Sequence, residues 1–532
     1  MTGLILGPLL RHVDERSATV WVETDGPCAV EVLDTSTRTF EVSGHHYALV
    51  VLTDLRPGTS TAYEVRLDDE PVWPRPDSPF PPSRIRTLST QDDPVRLVFG
   101  SCRKPHEHDA LGTDALSAYA ERMASLDESD WPQALLLVGD QVYADETTEA
   151  TQRWLAERRD TSKPPGNEVA DFAEYAHLYH ESWAEPLVRW LLSTVPTSMI
   201  FDDHDVRDDW NTSHTWQQSM RRQPWWSERL RGAIASYWVY QHIGNLAPAD
   251  LAADPTFQKV TTFDGDNAEL LVAFADEADN EVDGTKGARW SYRRDFGRTR
   301  LLVIDTRAGR ILAGGARSMV DEDEFAWIED NAVGDFDHLL IGSSLPWLLP
   351  NSLSHLQSIN ERACRRPGWR GRFAEWIRQT LDLEHWAAFR ASFDRLTRLI
   401  ARVGRQPDPP ATIAVLSGDV HHAYIAHATF PDPVSSVVYQ LTCSPIHNTV
   451  PWFMRLVFRA GWWPPLSTVV RWWARRAGVP AAPVDWTNVS GPHFGNAVTT
   501  VRLAGRTAVA TVEQATDHGL TSLPDTTLTR TH

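Results

Sequence analysis

Residues 134–143 read ALLLVGDQVY. Five apolar residues in a row, Ala134 to Val138, suit a strand covered on both faces. Gly139 lets the chain turn sharply at the sheet edge, and Asp140 is the first charged side chain beyond it. Ligands of open α/β sheets bind outside the carboxyl ends of the strands, so Asp140 projects where a cleft is expected. One carboxylate there can bridge two cations. Tyr143, three residues on, lies within reach of the same metal. A phenolate ligand requires a strongly Lewis-acidic ion such as Fe(III); the bland alternative is a hydrogen-bonded loop tyrosine.

The same form recurs along the chain. VRLVFGSC (95–102), SMIFDDHD (198–205), RLLVIDTR (300–307), HLLIGSSLPW (338–347), IAVLSGDVHH (413–422) and VVYQLTC (437–443) are apolar runs that end in polar residues. Helical patterns lie between them: Tyr175, Leu178, Tyr179 and Trp183 share one face, and Trp386, Phe389, Phe393, Leu396, Ile400 and Val403 recur at three- and four-residue steps. Strands alternating with helices predict a layered α/β core from about residue 94 to the end. Helical insertions are expected at about 146–192, 214–255 and 351–408. The alternating runs NAVTTVRLAG and TAVATVEQA are expected to close the second sheet.

Residues 1 to about 90 read differently. Ala18, Val20 and Val22 alternate with Thr19, Trp21 and Glu23, as a half-buried strand requires. LRPGTSTAY (55–63) looks like the turn before a late strand of a fibronectin-III-like β-sandwich, with Tyr63 as a corner tyrosine. This part shows no catalytic constellation and reads as a packing or substrate-shaping module.

Four strand ends carry candidate chemistry. Cys102 and Arg103 follow the first strand, and Asp140 and Tyr143 the second. The third leads into Asp202-Asp203-His204-Asp205-Val206-Arg207-Asp208-Asp209-Trp210-Asn211, five carboxylates within eight residues. Burying them beside a strand is very costly without cations. The fourth is Ser417-Gly418-Asp419-Val420-His421-His422, in which Asp419 and His421, two residues apart, point the same way. Each cluster alone is weak; four in order, each after a strand, are specific.

Composition narrows the field. A net charge of −20 excludes a uniformly basic nucleic-acid binder. An enzyme acting on anionic phosphoesters must then concentrate cations locally. Cys28, Cys102, Cys364 and Cys443 form no CxxC pair and no disulfide framework. The first residues show no export signal or twin arginine, and no apolar run reaches the ~18 residues of a membrane span, so a cytoplasmic protein is expected. Residues 449–484 hold Trp452, Trp462, Trp463, Trp472 and Trp473 with five arginines and no acidic residue. Peripheral membrane or lipid contact is one reading; the preferred one is a helical cap with its tryptophans packed inward.

These blocks resemble the calcineurin-like metallophosphoesterase superfamily, and most of all PhoD-type alkaline phosphatases. The resemblance implies a four-layer α/β/β/α core, and many PhoD-like proteins also carry an N-terminal sandwich. The GD-x-x-Y arrangement is shared with purple acid phosphatases. Departures from the common superfamily pattern are informative. Cys102 stands where the first block's ligand falls, Asp203-His204 replaces Asn-His, Ser343-Ser344 stand where a lone His is expected, and Asp419 replaces the first His of GHxH. The implied first metal sees Cys102, Asp140, Tyr143 and His421, a set that suits Fe(III). The second sees Asp140, Asp203 and Asp419, oxygen-only, which suits Ca²⁺, or Mg²⁺ or Mn²⁺, over zinc. PhoD-type enzymes are similar in using iron with calcium.

The implied reaction is hydrolysis of phosphate mono- or diesters by a hydroxide held on the metals. His204 is the expected general acid. Arg207, with Arg103, is expected to hold phosphoryl oxygens, and Asn211 and His422 to orient substrate or brace the loop. Two alternatives stand: a phospholipase-D-like phosphodiesterase acting on phospholipids, motivated by the Trp/Arg segment, and a non-catalytic surface or assembly protein that keeps the fold.

Overall fold

The computed structural model describes residues 2–105, 111–284, 287–313 and 317–530. The N-terminal strands form two four-stranded antiparallel sheets. One runs Leu4–Val13, Ala18–Thr24, His45–Leu52, Phe40–Val42; the other Thr35–Arg38, Ala29–Val32, Val65–Leu67, Glu70–Trp73. Leu10, Val20, Val22, Val30, Val50 and Val65 fill the space between them. The strand Ala18–Thr24 is buried along its whole length, where the alternation predicts one solvated face. Its other face meets the rest of the protein: Trp21 lies 5.2 Å from the ring of Tyr240, and the Glu23 carboxylate is bonded to His180. Tyr63 also departs from expectation. Its hydroxyl donates to the Ser193 carbonyl (2.6 Å), 130 residues away, and so ties the sandwich to the helix Pro186–Thr194 instead of closing a corner within it.

Two seven-stranded mixed sheets form the core. The first is ordered Thr197–Ile200, Ala134–Val138, Val95–Gly100, Ala497–Ala504, Thr507–Thr516, Gly519–Ser522, with Thr526–Thr527 beside Thr507–Thr516. The two alternating C-terminal runs do not close the second sheet as expected; they extend the first, pairing antiparallel beside Val95–Gly100. The second sheet is ordered Tyr292–Phe296, Thr299–Ile304, His338–Ser343, Thr412–Ser417, Val437–Thr442, Ala423–Thr429, Asp485–His493, with its four middle strands parallel.

Alternation along these strands builds the layers. Leu301, Val303, Leu340, Ala414 and Leu416 turn toward the first sheet. Their neighbours Leu302, Ile304, Leu339, Ile341, Ile413 and Val415 turn outward onto Phe325, Phe393, Leu396 and Ile400 of the helices Glu322–Asn331 and Arg390–Val403. Gly342 marks the closeness of the sheets: a Cβ there would lie 3.3 Å from Leu136 of the opposing strand. The helix Ala115–Ala124 packs over the outside of the first sheet, and Pro186–Thr194 packs between that helix and the strand Leu4–Val13. The result is the four-layer α/β/β/α arrangement. Further helices occupy 149–194, 214–283 and 351–403, the second stretch running past residue 255 to Asp283.

The Trp/Arg segment folds as two helices, Trp452–Gly461 and Pro464–Arg476. Of its five tryptophans only Trp462 packs inward as preferred above; Trp452, Trp463, Trp472 and Trp473 are all more than half exposed. No helix among the described residues is long and apolar enough to cross a membrane.

Candidate metal centre

The parallel strands of both sheets release their C-terminal ends at one place. Cys102 and Asp140 come from adjacent strands of the first sheet, Asp202 and Asp203 from the next, and Asp419 and His421 from the second sheet. Backbone hydrogen bonds continue the ladders past the strands. The Cys102 amide donates to the Gly139 carbonyl (3.3 Å), Arg103 to Asp140 (3.2 Å), and Gly418 to Ser344 (2.9 Å). Cys102, Asp140, Asp419 and His421 all adopt left-handed φ, at 59°, 53°, 67° and 50°. Such conformations are costly for non-glycine residues and cluster at functional sites.

The ligand atoms fall into two groups that share one residue. Those of Cys102, Asp140 and His421 lie within 4.8 Å of one another, and so do those of Asp140, Asp202 and Asp203. Asp140 is thus the common member. The second group contains Asp202, which the sequence reading passed over in favour of its neighbour. Tyr143 is buried with its hydroxyl donating to Asp140 (3.4 Å) and accepting from Asn448 Nδ2 (3.0 Å). Asp419 Oδ2 lies 2.8 Å from His385 Nε2, whose other ring nitrogen meets Gln357. A histidine nitrogen thus sits on Asp419, one of the residues expected at the second metal.

These residues fit cations. Asp140 Oδ1 and Asp202 Oδ2 are buried with no hydrogen-bond partner among the described residues. Burial pushes the Asp140 carboxyl well above its usual range; Asp203, Asp205 and Asp419 push it further, against the opposing pull of His204. Orphaned acceptors in an acidic, desolvated cluster are what a cation would satisfy. Burial also holds the His421 imidazole neutral, its pKa lowered to about 4, the form that ligates metal. The Cys102 thiol and Tyr143 phenol are raised well above their ordinary values, first by burial and then by nearby acids.

The remaining expected residues divide. His204 stacks on Tyr143 at 4.7 Å between ring centres, and its Nδ1 is held by Asp145 Oδ1 at 2.9 Å. Asp205 is a structural pin: its carboxylate accepts from the amides of Asp140, Gln141, Val142 and Asp202 at 2.8–3.3 Å, joining two ligand loops. Arg103 is buried and fully engaged by Asp114 (2.8 Å) and the Ser182 carbonyl (2.6 Å). Arg207 is held through Nε and Nη2 by Glu168 at 3.1 and 3.2 Å. Neither guanidinium turns a free fork to the cleft. His422 lies in an aromatic enclosure, 4.2 Å from Phe458 and 5.1 Å from Tyr424, with Nδ1 on the Val420 carbonyl. Asn211 Nδ2 donates to the carbonyl of Arg307 (3.2 Å), bracing that residue.

Arg307 went unread in the sequence except as the end of a strand. It is wholly buried among Asp202, Asp203 (3.1 Å), Glu384 (2.5 Å) and Asp419 (4.0 Å). Asp305 sets its position by accepting from the Arg307, Ala308 and Gly309 amides.

Residues 97–272 match the PhoD-like phosphatase family. The chain carries a PhoD-like phosphatase domain. The matched family is one of phosphatases. Of the site, Cys102, Asp140, Tyr143 and the acidic loop 202–211 lie within the PhoD-like match, whereas Arg307, His385, Asp419 and His421 lie beyond it. Residues 1–85 match a domain of unknown function, DUF7800. No curated protein matches the chain. Among solved structures, one described as "Structure of PhoD" superposes with a TM-score of 0.59 at 11% identity, over 98% of this chain and 92% of that one, a likeness of fold. A maltogenic amylase from S. marinus reaches only 0.16 at 8% identity, over 96% and 76% of the two chains.

Proposed function

We propose that the PhoD-like core hydrolyses phosphate mono- or diesters at a centre that would hold two cations, its two ligand groups having Asp140 in common. The observation that carries this is the pair of ligand groups with Asp140 in common. Cys102, Asp140, Tyr143 and His421 would hold Fe(III), for which thiolate, phenolate and imidazole are suited. Asp140, Asp202, Asp203 and Asp419 would hold Ca²⁺, Mg²⁺ or Mn²⁺. Bound there, the cations would supply Lewis acidity toward a phosphoryl oxygen and would lower the pKa of water.

The chain's own residues do the rest. Asp145 fixes the His204 ring through Nδ1, which leaves Nε2 as the proton donor to the leaving oxygen. Asn448 fixes the Tyr143 hydroxyl against Asp140. Lys104, paired with Glu146 and 4.8 Å from the centre of the Tyr143 ring, supplies a cation at the rim. The arginines read from the sequence take bracing roles in this proposal. A second reading, attack on phospholipid diesters, is favoured by the exposed aromatic helices beside the cleft.

Optical and elemental measurement tests the centre. Purified protein should show a visible tyrosinate-to-Fe(III) band, lost in Tyr143→Phe, with about one iron per chain. Asp140→Asn should abolish turnover of p-nitrophenyl phosphate and of its bis-ester. A colourless, zinc-loaded, active enzyme would refute the metal assignment. Iron-loaded protein inert toward both esters would refute the reaction. Cleavage of phosphatidylcholine in preference to the soluble diester would select the second reading.

A further inference from the structure

The helices Trp452–Gly461 and Pro464–Arg476 form a hairpin that presents its large apolar side chains to solvent. Trp452 is 75% exposed, Trp463 60%, Trp472 54% and Trp473 52%, with Leu456 and Val469 exposed beside them. An ordinary surface helix hides such a stripe. Here the hidden side is small, made chiefly of Phe458, Val470 and Ala474.

Charge says what covers the exposed side. Arg455, Arg459, Arg471, Arg475 and Arg476 are the charged residues of 449–484, in a chain of net charge −20. Arg471 pairs with Asp485 at 2.6 Å; the other four have no carboxylate partner among the described residues. Tryptophan and arginine mixed on one amphipathic surface suit the headgroup level of a bilayer, and anionic lipid attracts such arginines. A second copy of the chain meeting this patch face to face would set arginine against arginine, since a two-fold interface is self-complementary.

The hairpin is also joined to the candidate centre. Phe458 stacks on His422, next to His421, and Trp462 meets Tyr424 at 5.2 Å. A second exposed aromatic stripe, Trp369, Phe373 and Trp376, lies on the helix Trp369–Thr380. That helix packs on Asn351–Cys364, the same helix that supports the hairpin, and leads into Glu384 and His385.

We propose that this hairpin docks the protein on an anionic lipid bilayer and sets the metal-binding cleft beside the headgroups. The consequence for substrate, esters of lipid phosphate, rests on the phosphoesterase reading; the docking does not.

Sedimentation of the full-length protein with vesicles tests it. Binding is expected to phosphatidylglycerol-containing vesicles and to be at least tenfold weaker to pure phosphatidylcholine. Trp452→Ser/Trp472→Ser and Arg455→Gln/Arg459→Gln should each weaken the first by about tenfold or more. Neither pair touches the centre, so both variants should keep wild-type turnover of a soluble phosphodiester, which also reports correct folding. Protein that binds vesicles but hydrolyses no ester would sink the phosphoesterase reading and leave docking standing. Docking is overturned if the protein stays in the supernatant with both vesicles, or sediments equally after both double substitutions. It is also overturned if light scattering shows a dimer that Trp452→Ser/Trp472→Ser abolishes while vesicle binding is absent.

Discussion

Replacing Arg307 with methionine should cost the metal-stripped protein about 3–5 kcal/mol. The guanidinium is wholly buried and lies against Asp202, Asp203 at 3.1 Å and Glu384 at 2.5 Å. Methionine keeps most of the volume, so the loss is electrostatic. Removing one partner of a buried ion pair typically costs about 3–5 kcal/mol, because the other charges stay buried and uncompensated. At about 1.4 kcal/mol per decade, the unfolded fraction rises roughly 10²- to 10⁴-fold. Burial alone would raise the Glu384 carboxyl, but Arg307 and Arg310 outweigh it and hold its pKa near about 2. A carboxylate whose folded pKa is depressed contributes stability above its unfolded pKa and loses it as pH falls through the folded one. The wild-type advantage should therefore be full at neutral pH and shrink between about 4.5 and about 2. Guanidinium unfolding in EDTA, followed by tryptophan fluorescence from pH 7 to pH 3, reads this directly. Arg307→Met/Glu384→Gln should recover about 0.5–3 kcal/mol of the loss, the coupling expected of groups in one network. A single substitution that costs under ~1 kcal/mol at pH 7, against the cost of breaking a buried pair, or a double one that is merely additive, refutes the reasoning.

Three further outcomes are expected. Gly139 has φ +103°, and a Cβ there would lie 2.6 Å from the Asp202 Cβ and 3.2 Å from that of Ser344; Gly139→Ala should displace Asp202 and lower bound metal per chain by elemental analysis, and full occupancy would contradict this. His204→Ala should reduce kcat by about 10²–10⁴ with an alkyl phosphate and much less with a nitrophenyl ester, whose leaving group needs no proton; equal losses on both would remove His204 from the role of acid. The Glu23 carboxylate joins the sandwich to the core through His180 (2.7 Å) and also binds His45 of its own sheet (2.9 Å); the two histidines together outweigh its burial and lower its pKa. Glu23→Gln should cost about 1–3 kcal/mol at neutral pH, with the difference fading as pH falls below about 4; a Tm difference independent of pH would count against it.

The layered core and the strand-end ligands were legible because both depend on local pattern. A continuous apolar run followed by Gly-Asp fixes where a strand stops and which side chain comes first beyond it. That logic put Cys102, Asp140 and His421 at strand ends; the family resemblance grouped them, and the fold brings their ligand atoms within 4.8 Å of one another. The sequence reading named Asp203 and passed over Asp202, whereas the backbone path after the strand Thr197–Ile200 brings both carboxylates to Asp140. His385 and Glu384 carried no strand signal, since they follow a helix. Arg103 and Arg207 looked available because their partners, Asp114 with Ser182 and Glu168, are remote or in helical insertions. His422 looked like part of the chemistry because its aromatic enclosure, Phe458 and Phe494, lies 36 and 72 residues downstream.

The strain at the ligand residues links these observations. A left-handed conformation costs an ordinary residue about 1–2 kcal/mol, and four of the six ligands read from the sequence adopt one. An isolated loop would relax. Here each loop is tied to the next across the sheet edge: Cys102 to Gly139, Arg103 to Asp140, Ile446 to Ser101, and Gly418 to Ser344 on its own sheet. Asp205 adds three amide bonds between the second and third loops and a fourth within the third. Two large packed sheets thus over-determine the path of every ligand loop. The same sheets hold unpaired carboxylate oxygens in a desolvated place they would otherwise leave. The acidic cluster then stays ionised only with positive charge at its centre. Arg307 supplies part of it from one side, and the orphaned oxygens of Asp140 and Asp202 on the other leave room for cations to supply the rest.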